Sequence, residues 1–148
     1  MPVPRYLLID GHSIIHAWPE LRALHLQAAR RHTARDLLLQ RMRHYQDMTD
    51  ERVIVVFDGT QSRTSEEREP GGLQIFYADA GKTADTIIER LVAKYAKECS
   101  MRAATADGMI RETVSAFGGH WISPETLRIL CDEAEGNMRR QIGRDARK

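Results

Sequence analysis

The chain has 148 residues, of which 42% are hydrophobic and 29% charged. This length and composition are typical of one globular domain and exclude a disordered chain or a collagen-like repeat. Two cysteines, Cys99 and Cys131, are too few for a disulfide framework, so we expect both to be reduced. The first apolar run, residues 6–9, is too short for a secretion signal or a membrane span, which predicts a cytoplasmic protein without membrane attachment.

The formal net charge is only +1, but its distribution along the chain is uneven. Residues 22–44 contain six arginines and one aspartate, and residues 137–148 contain four arginines and one lysine against one aspartate. The rest of the chain is therefore net acidic. This division of charge is typical of a protein that binds a polyanion, with a basic surface that holds the polyanion and an acidic centre that contacts its reactive group. Each basic run can also be the solvated face of a helix.

Five short apolar runs along the chain predict strands. They are residues 6–9, 53–57, 73–77, 101–105 and, more weakly, 120–122. The second run is apolar throughout, which is typical of the middle of a parallel sheet. Because helical patterns separate these runs, the sequence predicts an α/β fold with a mainly parallel central sheet and helices on both faces.

Three helices and one long loop are predicted between the strands. The first helix follows Thr33, which can form a capping pair with Asp36. A second helix spans residues 83–97, and a third begins at Ser123-Pro124 and runs toward Arg140. Residues 59–72 are rich in polar residues and glycine, and we expect a mobile loop that is either disordered or a functional lid.

Acidic residues follow three of the predicted strands. Asp10, Asp58 and Asp107 each come just after a strand and directly before a glycine. Asp85 lies in the first turn of the second helix, and Glu89 follows one turn later. Singly, each aspartate can be a turn residue or a helix cap. Because ligand sites lie at the carboxyl ends of parallel strands, we expect all four aspartates to converge.

A cluster of four carboxylates favours a bound cation. Neighbouring carboxylates raise one another's pKa unless a positive charge keeps them ionised. Carboxylate and water oxygens are the ligands that Mg²⁺ and Mn²⁺ prefer, and neither sulfur nor imidazole dominates this set. The sequence therefore predicts Mg²⁺ or Mn²⁺ as the cofactor.

Several motifs, in order along almost the whole chain, resemble the YacP-like NYN domains of the PIN-like nuclease superfamily. The matching segments are residues 8–11, 14–21, 53–58, 83–85, 88–91 and 105–107. The resemblance spans about residues 5–140 and implies a three-layer PIN-like fold. Together with the chain length and charge, it predicts a single domain over residues 1–148 with a basic C-terminal tail at 137–148. It also implies a metal-dependent endoribonuclease that acts on messenger RNA, with the ribosome as a possible partner.

The resemblance assigns roles to individual residues. Asp10, Asp58, Asp85 and Asp107 match the family's acidic positions, and Glu89 is a plausible helper that orients the attacking water. Asp10, Asp85 and Asp107 would hold one ion, while Asp58 would complete that cluster or anchor a second ion. For substrate binding we name the following residues, which offer hydroxyl, imidazole or cationic groups: Ser13, His12, Lys82, Arg111 and Arg35.

This sequence departs from the family pattern at three positions. The family commonly has an aromatic residue and an asparagine where this chain has His12 and Ser13, and a serine where this chain has Ala106. Ser13 still offers one oxygen but lacks the second functional group of an amide. Ser13 and Ala106 are the basis of an alternative hypothesis, an RNA- or ribosome-binding module with little or no catalytic activity.

Two other chemistries fit the residues less well. His12 and His16 have a spacing that can hold zinc on a helix, but no third ligand is evident from the sequence. The segment Phe57–Thr60 is similar to haloacid-dehalogenase phosphatases, yet Val56 stands where their nucleophilic aspartate would be. Trp18 is more typical of a packed residue than of a base-stacking platform, because a single aromatic residue makes no platform.

Overall fold

The computed structural model describes residues 3–59, 65–68, 72–80 and 83–146, with the backbone alone for residues 65–68, 80 and 145–146. One six-stranded sheet forms the centre. Its strands in chain order are β1 (Arg5–Asp10), β2 (Arg52–Gly59), β3 (Ser65–Arg68), β4 (Gln74–Ala80), β5 (Ser100–Ala104) and β6 (His120–Ile122). The helices are α1 (Gly11–Ala17), α2 (Pro19–His25), α3 (Arg31–Met48), α4 (Ala84–Tyr95), α5 (Gly108–Ala116) and α6 (Pro124–Ala146), with a short 3₁₀ turn at Ala28–Arg30.

The strand order in space is β3-β4-β2-β1-β5-β6, and β3 alone runs antiparallel to its neighbour. β1 and β2 are central, and in register Leu8 lies between Ile54 and Ala103. The continuous burial of residues 53–57 follows from this central position, because both faces of β2 are covered. The predicted α/β fold with a mainly parallel sheet is confirmed, including the short strand at 120–122.

Alternate residues of the strands supply two separate cores, one on each face of the sheet. On one face Leu7, Val53 and Val55 pack in a cluster with residues of α1, α3 and α6. On the other face Leu8 and Ile54 pack in a cluster with residues of α4 and α5. Because successive side chains of a strand point to opposite faces of the sheet, one apolar strand contributes side chains to both cores. The result is the three-layer arrangement that the sequence predicts.

The segment predicted as a loop at 59–72 contains a strand. β3 pairs antiparallel with β4, with Ser65 opposite Tyr77 and Arg68 opposite Gln74. Its residues, Ser-Glu-Glu-Arg, carry no apolar side chain, and charged residues of this kind are common on edge strands. Pattern alone therefore missed it. The predicted lid falls partly on residues 60–64 and 69–71, which lie outside the described residues.

Two helix boundaries differ from the sequence prediction. The capping role of Thr33 is wrong, because α3 already begins at Arg31 and Thr33 lies within its first turn. The Ser123 cap of α6 is confirmed, since its hydroxyl accepts a hydrogen bond from the Thr126 N–H at 3.1 Å. α6 continues past Arg140 to Ala146, so the described part of the basic tail is helical.

A buried charge network closes the end of the sheet opposite the carboxyl ends of the parallel strands. Glu51, only 3% exposed, accepts a hydrogen bond from the Tyr45 hydroxyl at 2.6 Å and from Arg102 Nε at 3.0 Å. Burial raises the pKa of Tyr45 well above its usual range, and the hydrogen bond to Glu51 raises it further. This network joins α3, the start of β2 and β5.

Cys99 and Cys131 are free thiols. Cys131 is buried against α3, and this burial raises its pKa to about 12. None of the helices in the described segments is both long enough and apolar enough to span a membrane.

Candidate active site

The carboxyl ends of the central strands open into a cleft of about 600 Å³. Its walls come from four separate segments of the chain, namely the β1–α1 junction, the end of β2, the start of α4 and the β5–α5 junction. The lining includes Asp10, Asp58, Asp85 and Asp107, together with His12, Ser13, His16 and Thr83. The four aspartates that the sequence singles out therefore lie around one cavity, as expected for the carboxyl edge of a parallel sheet.

Asp10 ends β1 and is the most buried of the four aspartates, with 6% of its surface exposed. Hydroxyls of Ser13 and Thr105 each donate to its Oδ2 at 2.7 Å. Burial raises the pKa of Asp10, and the negative charge of Asp58 raises it further, while the two hydroxyl hydrogen bonds act in the opposite direction. The carboxylate is therefore fixed in position but costly to ionise without a nearby positive charge.

Asp58, near the end of β2, joins the sheet to the start of α4. Its Oδ1 accepts a hydrogen bond from the Ala84 N–H at 2.7 Å. Its Oδ2 lies 3.3 Å from His12 Nδ1, which also accepts from the Asp58 N–H at 3.4 Å. The first turn of a helix carries unpaired N–H groups and the positive end of its dipole, so this carboxylate stabilises the start of α4.

Asp85 and Asp107 lie at the N-termini of helices, as the ordinary explanation of each residue predicts. Asp107 is the N-cap of α5 and accepts from the Met109 N–H at 2.8 Å. Asp85 Oδ1 accepts from the Thr83 hydroxyl and from the Thr86 N–H. In both residues Oδ1 is the oxygen that accepts the hydrogen bond from the helix backbone. Both residues also line the cleft, so capping and a role in the cleft are compatible.

Thr105 is a site residue that the sequence analysis missed. It is fully buried at the end of β5, donates to Asp10 Oδ2 and accepts from the Asp107 N–H at 3.0 Å. A single hydroxyl thus joins two of the four aspartates. The backbone carbonyl of Thr105 accepts a further hydrogen bond from Trp121 Nε1 at 2.8 Å. The sequence signal for this role was a threonine two positions before the aspartate that follows a strand. Threonine is also common in strands, so this signal did not single out Thr105.

The structure does not bring Glu89 to the cleft. Residue 89 lies one helical turn beyond Asp85, and its carboxylate accepts from the Thr113 hydroxyl of α5 at 3.4 Å. A full turn of helix carries a side chain about 5.4 Å along the axis, which here leads away from the sheet edge. Glu89 therefore contacts α5, and the expectation that it orients a water in the cleft does not match this geometry.

The predicted substrate-binding residues are dispersed. Ser13 and His12 line the cleft. Arg111 lies outside the lining and stacks over the ring of Trp121, with its guanidinium carbon 4.3 Å from the ring centroid. Arg35 is half-buried on α3, and Lys82 lies outside the described residues.

One arginine of the basic run 22–44 is paired with acids of α6. Arg41 binds Asp132 at 2.7 Å and Glu135 at 3.4 Å, and its guanidinium lies over the ring of Trp18. The charge of Arg41 is therefore paired within the protein. Residues 22–44 accordingly offer fewer unpaired cations to a ligand than their composition suggests.

Three histidines gather beside the acidic cleft. His12 and His16 share one face of α1, with ring centroids 6.3 Å apart, and His25 at the end of α2 lies 6.0 Å and 4.9 Å from them. His25 is the third imidazole that the sequence alone could not place. Across the described ranges, however, no group of three His, Cys, Asp or Glu side chains is arranged to hold a metal ion. Neither the histidines nor the aspartates form a preformed coordination site.

This fold, with its acidic cleft at the carboxyl edge of a parallel sheet, defines a PIN-like α/β domain. The chain belongs to the YacP-like NYN domain family, whose model matches residues 7–148. That membership supports a nuclease-type, RNA-related function.

Similar proteins include one curated sequence and two solved structures. The chain is 34% identical over 143 residues to the uncharacterized protein YacP of Bacillus subtilis strain 168, covering 96% of this chain and 81% of the relative. The crystal structure of the W164L mutant of Rae1 (YacP) from Bacillus subtilis matches with a TM-score of 0.80 and 29% identity, covering 97% of this chain and 84% of the other. A second crystal structure of Rae1 (YacP) matches with a TM-score of 0.76 and 28% identity, covering 97% and 81%.

Proposed function

We propose that this protein is a divalent-metal-dependent endoribonuclease that hydrolyses RNA phosphodiester bonds with Mg²⁺ or Mn²⁺. The observation that carries the proposal is that four aspartates from four distant segments line one cleft. Such a concentration of carboxylates destabilises a fold unless it serves a ligand of opposite charge. Membership of a nuclease-like family favours RNA as the substrate of this cleft.

The donor set fits a hard divalent cation in its chemistry. All four groups are carboxylates, which suit Mg²⁺ and Mn²⁺, and a cation would offset the charge that raises the pKa of Asp10. Asp107 is exposed and Asp85 half-buried, so both have room to turn toward a common ion. In our proposal Asp10, Asp85 and Asp107 hold one ion, and Asp58 completes that cluster or anchors a second ion.

The protein's own side chains supply positioning and substrate contacts. The hydroxyls of Ser13 and Thr105 hold the Asp10 carboxylate, and the start of α4 holds Asp58. His12 lies beside Asp58 within the cleft and can donate a hydrogen bond from its other ring nitrogen to a phosphate oxygen. When bound, such an ion lowers the pKa of its water and offsets the charge that develops on the phosphate. Family analogy indicates a 5′-phosphate and a 3′-hydroxyl as products.

The biological setting is also part of the proposal. We infer that the substrate is messenger RNA, that the ribosome is a partner and that the protein acts in the cytoplasm. These inferences are supported by the resemblance to the YacP-like NYN family, and the basic helices provide a surface for a polyanion.

The test is cleavage of structured and single-stranded RNA in the presence of Mn²⁺, Mg²⁺ or EDTA. We expect metal-dependent cleavage by the wild type and its loss in Asp10→Asn and Asp107→Asn. Asp47→Asn, which changes an exposed aspartate on α3, is the matched control and should cleave normally. Cleavage that survives both EDTA and the two cleft substitutions would eliminate the proposal.

A second candidate is an RNA- or ribosome-binding module without efficient catalysis. Ser13 and Ala106 at family-variant positions favour it, as does the lack of a preformed metal site among the described residues. It predicts RNA binding that weakens steeply with salt but no turnover with either metal. The cleavage assay and a salt titration of binding separate the two functions.

A further inference from the structure

A group of histidine and arginine side chains borders the acidic cleft on the side of α1. His12 and His16 line the cleft itself, and His25 lies within 4.9–6.0 Å of them, measured between ring centroids. Arg31, in the first turn of α3, donates from Nε to the His25 carbonyl at 3.4 Å, and Arg35 lies one turn later. We refer to these five residues as the His–Arg cluster.

His25 is the residue whose surroundings indicate a missing partner. Its Nδ1 is buried and has no hydrogen-bond partner in the described part of the chain. A buried polar atom without a partner costs about 1–3 kcal/mol. Desolvation lowers the pKa of His25, and the neighbouring groups His16, Arg31, His12 and Arg35 lower it further. Of these neighbours, Arg31 and Arg35 carry permanent positive charges.

The start of α3 adds to this positive potential. The helix has no side-chain hydrogen bond at its N-cap position, Arg30, and no acidic residue in its first turn. The N–H groups and the positive end of the dipole at the start of α3 therefore lack the carboxylate that usually accompanies them. Asp58 lies beside His12, and neither Arg31 nor Arg35 forms an ion pair with an acidic side chain among the described residues.

We propose that the His–Arg cluster binds a backbone phosphate of the RNA strand that enters the acidic cleft, next to the bond that is cleaved. This inference rests on the proposed nuclease function for the identity of the strand. Arginine presents a planar set of donors that matches phosphate oxygens, and both Arg31 and Arg35 attract an anion, while the histidine rings can donate hydrogen bonds to it. Because His12 and His16 belong to both the cleft and the cluster, one continuous strand can occupy both.

The test measures binding separately from cleavage. A fluorescent single-stranded RNA is titrated with protein in EDTA, and anisotropy gives the dissociation constant. We expect the double variant Arg31→Gln/Arg35→Gln to bind roughly tenfold more weakly than wild type, with a shallower dependence on salt. The matched control is Arg90→Gln/Lys94→Gln, which removes the same charge from α4 and should bind nearly as wild type. Equal affinity of wild type and cluster variant, or an equal loss in the control, would overturn the proposal.

A second arm identifies the phosphate. RNAs that carry one neutral methylphosphonate linkage, moved stepwise along the strand, should reveal one position that weakens wild-type binding but not that of the cluster variant. If no internal position does so and millimolar inorganic phosphate displaces the RNA, the cluster binds a free or terminal phosphate and the proposal is overturned.

The two proposals can fail independently. Cleavage by the wild type in Mn²⁺ together with unaltered RNA binding by the cluster variant rejects the phosphate site and leaves the nuclease intact. Cluster-dependent binding without cleavage under any metal rejects the nuclease function and retains the phosphate site. Thermal melting of each variant verifies that it is folded, and Arg35→Lys should recover part of the affinity because it restores the charge.

Discussion

Replacing Thr105 with valine removes one hydroxyl and leaves a side chain of similar shape in a fully buried position. The hydroxyl donates to Asp10 at 2.7 Å and accepts from the Asp107 N–H at 3.0 Å. A hydrogen bond to a charged group contributes about 1.5–3 kcal/mol, and an amide left without a partner costs about 1–3 kcal/mol. Since Ser13 still donates to Asp10, we expect a total destabilisation of about 2–4 kcal/mol.

Urea unfolding at neutral pH in EDTA measures this loss. Thr105→Ser is the control, because it keeps the hydroxyl and loses one methyl group, which costs about 1 kcal/mol. We also expect RNA cleavage to fall more in the valine variant than in the serine variant, since only valine releases Asp10 and Asp107 from their shared partner. If Thr105→Val unfolds at the same urea concentration as Thr105→Ser, the hydroxyl does not connect the two aspartates and the reasoning is refuted.

The pH dependence of this loss has a definite sign. The pKa of Asp10 is raised in the folded protein, so its protonated form favours folding below the unfolded pKa of about 3.8, and this stability is lost as the pH rises through the folded pKa. Thr105→Val removes a hydrogen bond that favours the ionised form, so it raises the pKa further. The destabilisation should therefore be larger at pH 7 than near pH 4, and urea unfolding at both pH values measures the difference.

Three further predictions concern the cleft and the sheet. Asp10→Asn should raise the melting temperature at pH 7 in EDTA, because it removes a desolvated charge and keeps an acceptor oxygen. The same variant should no longer be stabilised by Mn²⁺. A melting temperature in EDTA below that of the wild type would contradict this prediction. Gly59→Ala should cost more than about 3 kcal/mol in urea unfolding, because its Cβ would lie 1.6 Å from the backbone oxygen of Asp79, whereas Gly108→Ala, with nothing within 4 Å, should be neutral or slightly stabilising. Glu51→Gln should cost about 1.5–3 kcal/mol, because Arg102, whose side chain is 24% exposed, loses its charged partner, and a loss below about 0.5 kcal/mol in the same assay would refute that role.

Local pattern was sufficient for the layers of the fold. The apolar run at 53–57 predicted a strand in the middle of the sheet, because a strand covered on both faces must be apolar throughout, and the helical pattern at 83–97 predicted α4. β3 could not be predicted in this way, because a strand of charged residues at the edge of a sheet shows no alternation of apolar and polar residues. Only its pairing with β4 defines it as a strand.

The sequence by itself determined which acids would share one edge, because Asp10, Asp58 and Asp107 each follow a strand and parallel strands end at the same side. Only the tertiary structure decided the partners of these acids. Thr105 contacts Asp10 across 95 residues of sequence, His25 lies beside His12 through the packing of α1 and α2, and Glu89 contacts α5. The spacing of residues along the chain predicts which side chains share a face of one helix or strand. Contacts between different helices and strands depend on how those elements pack against one another.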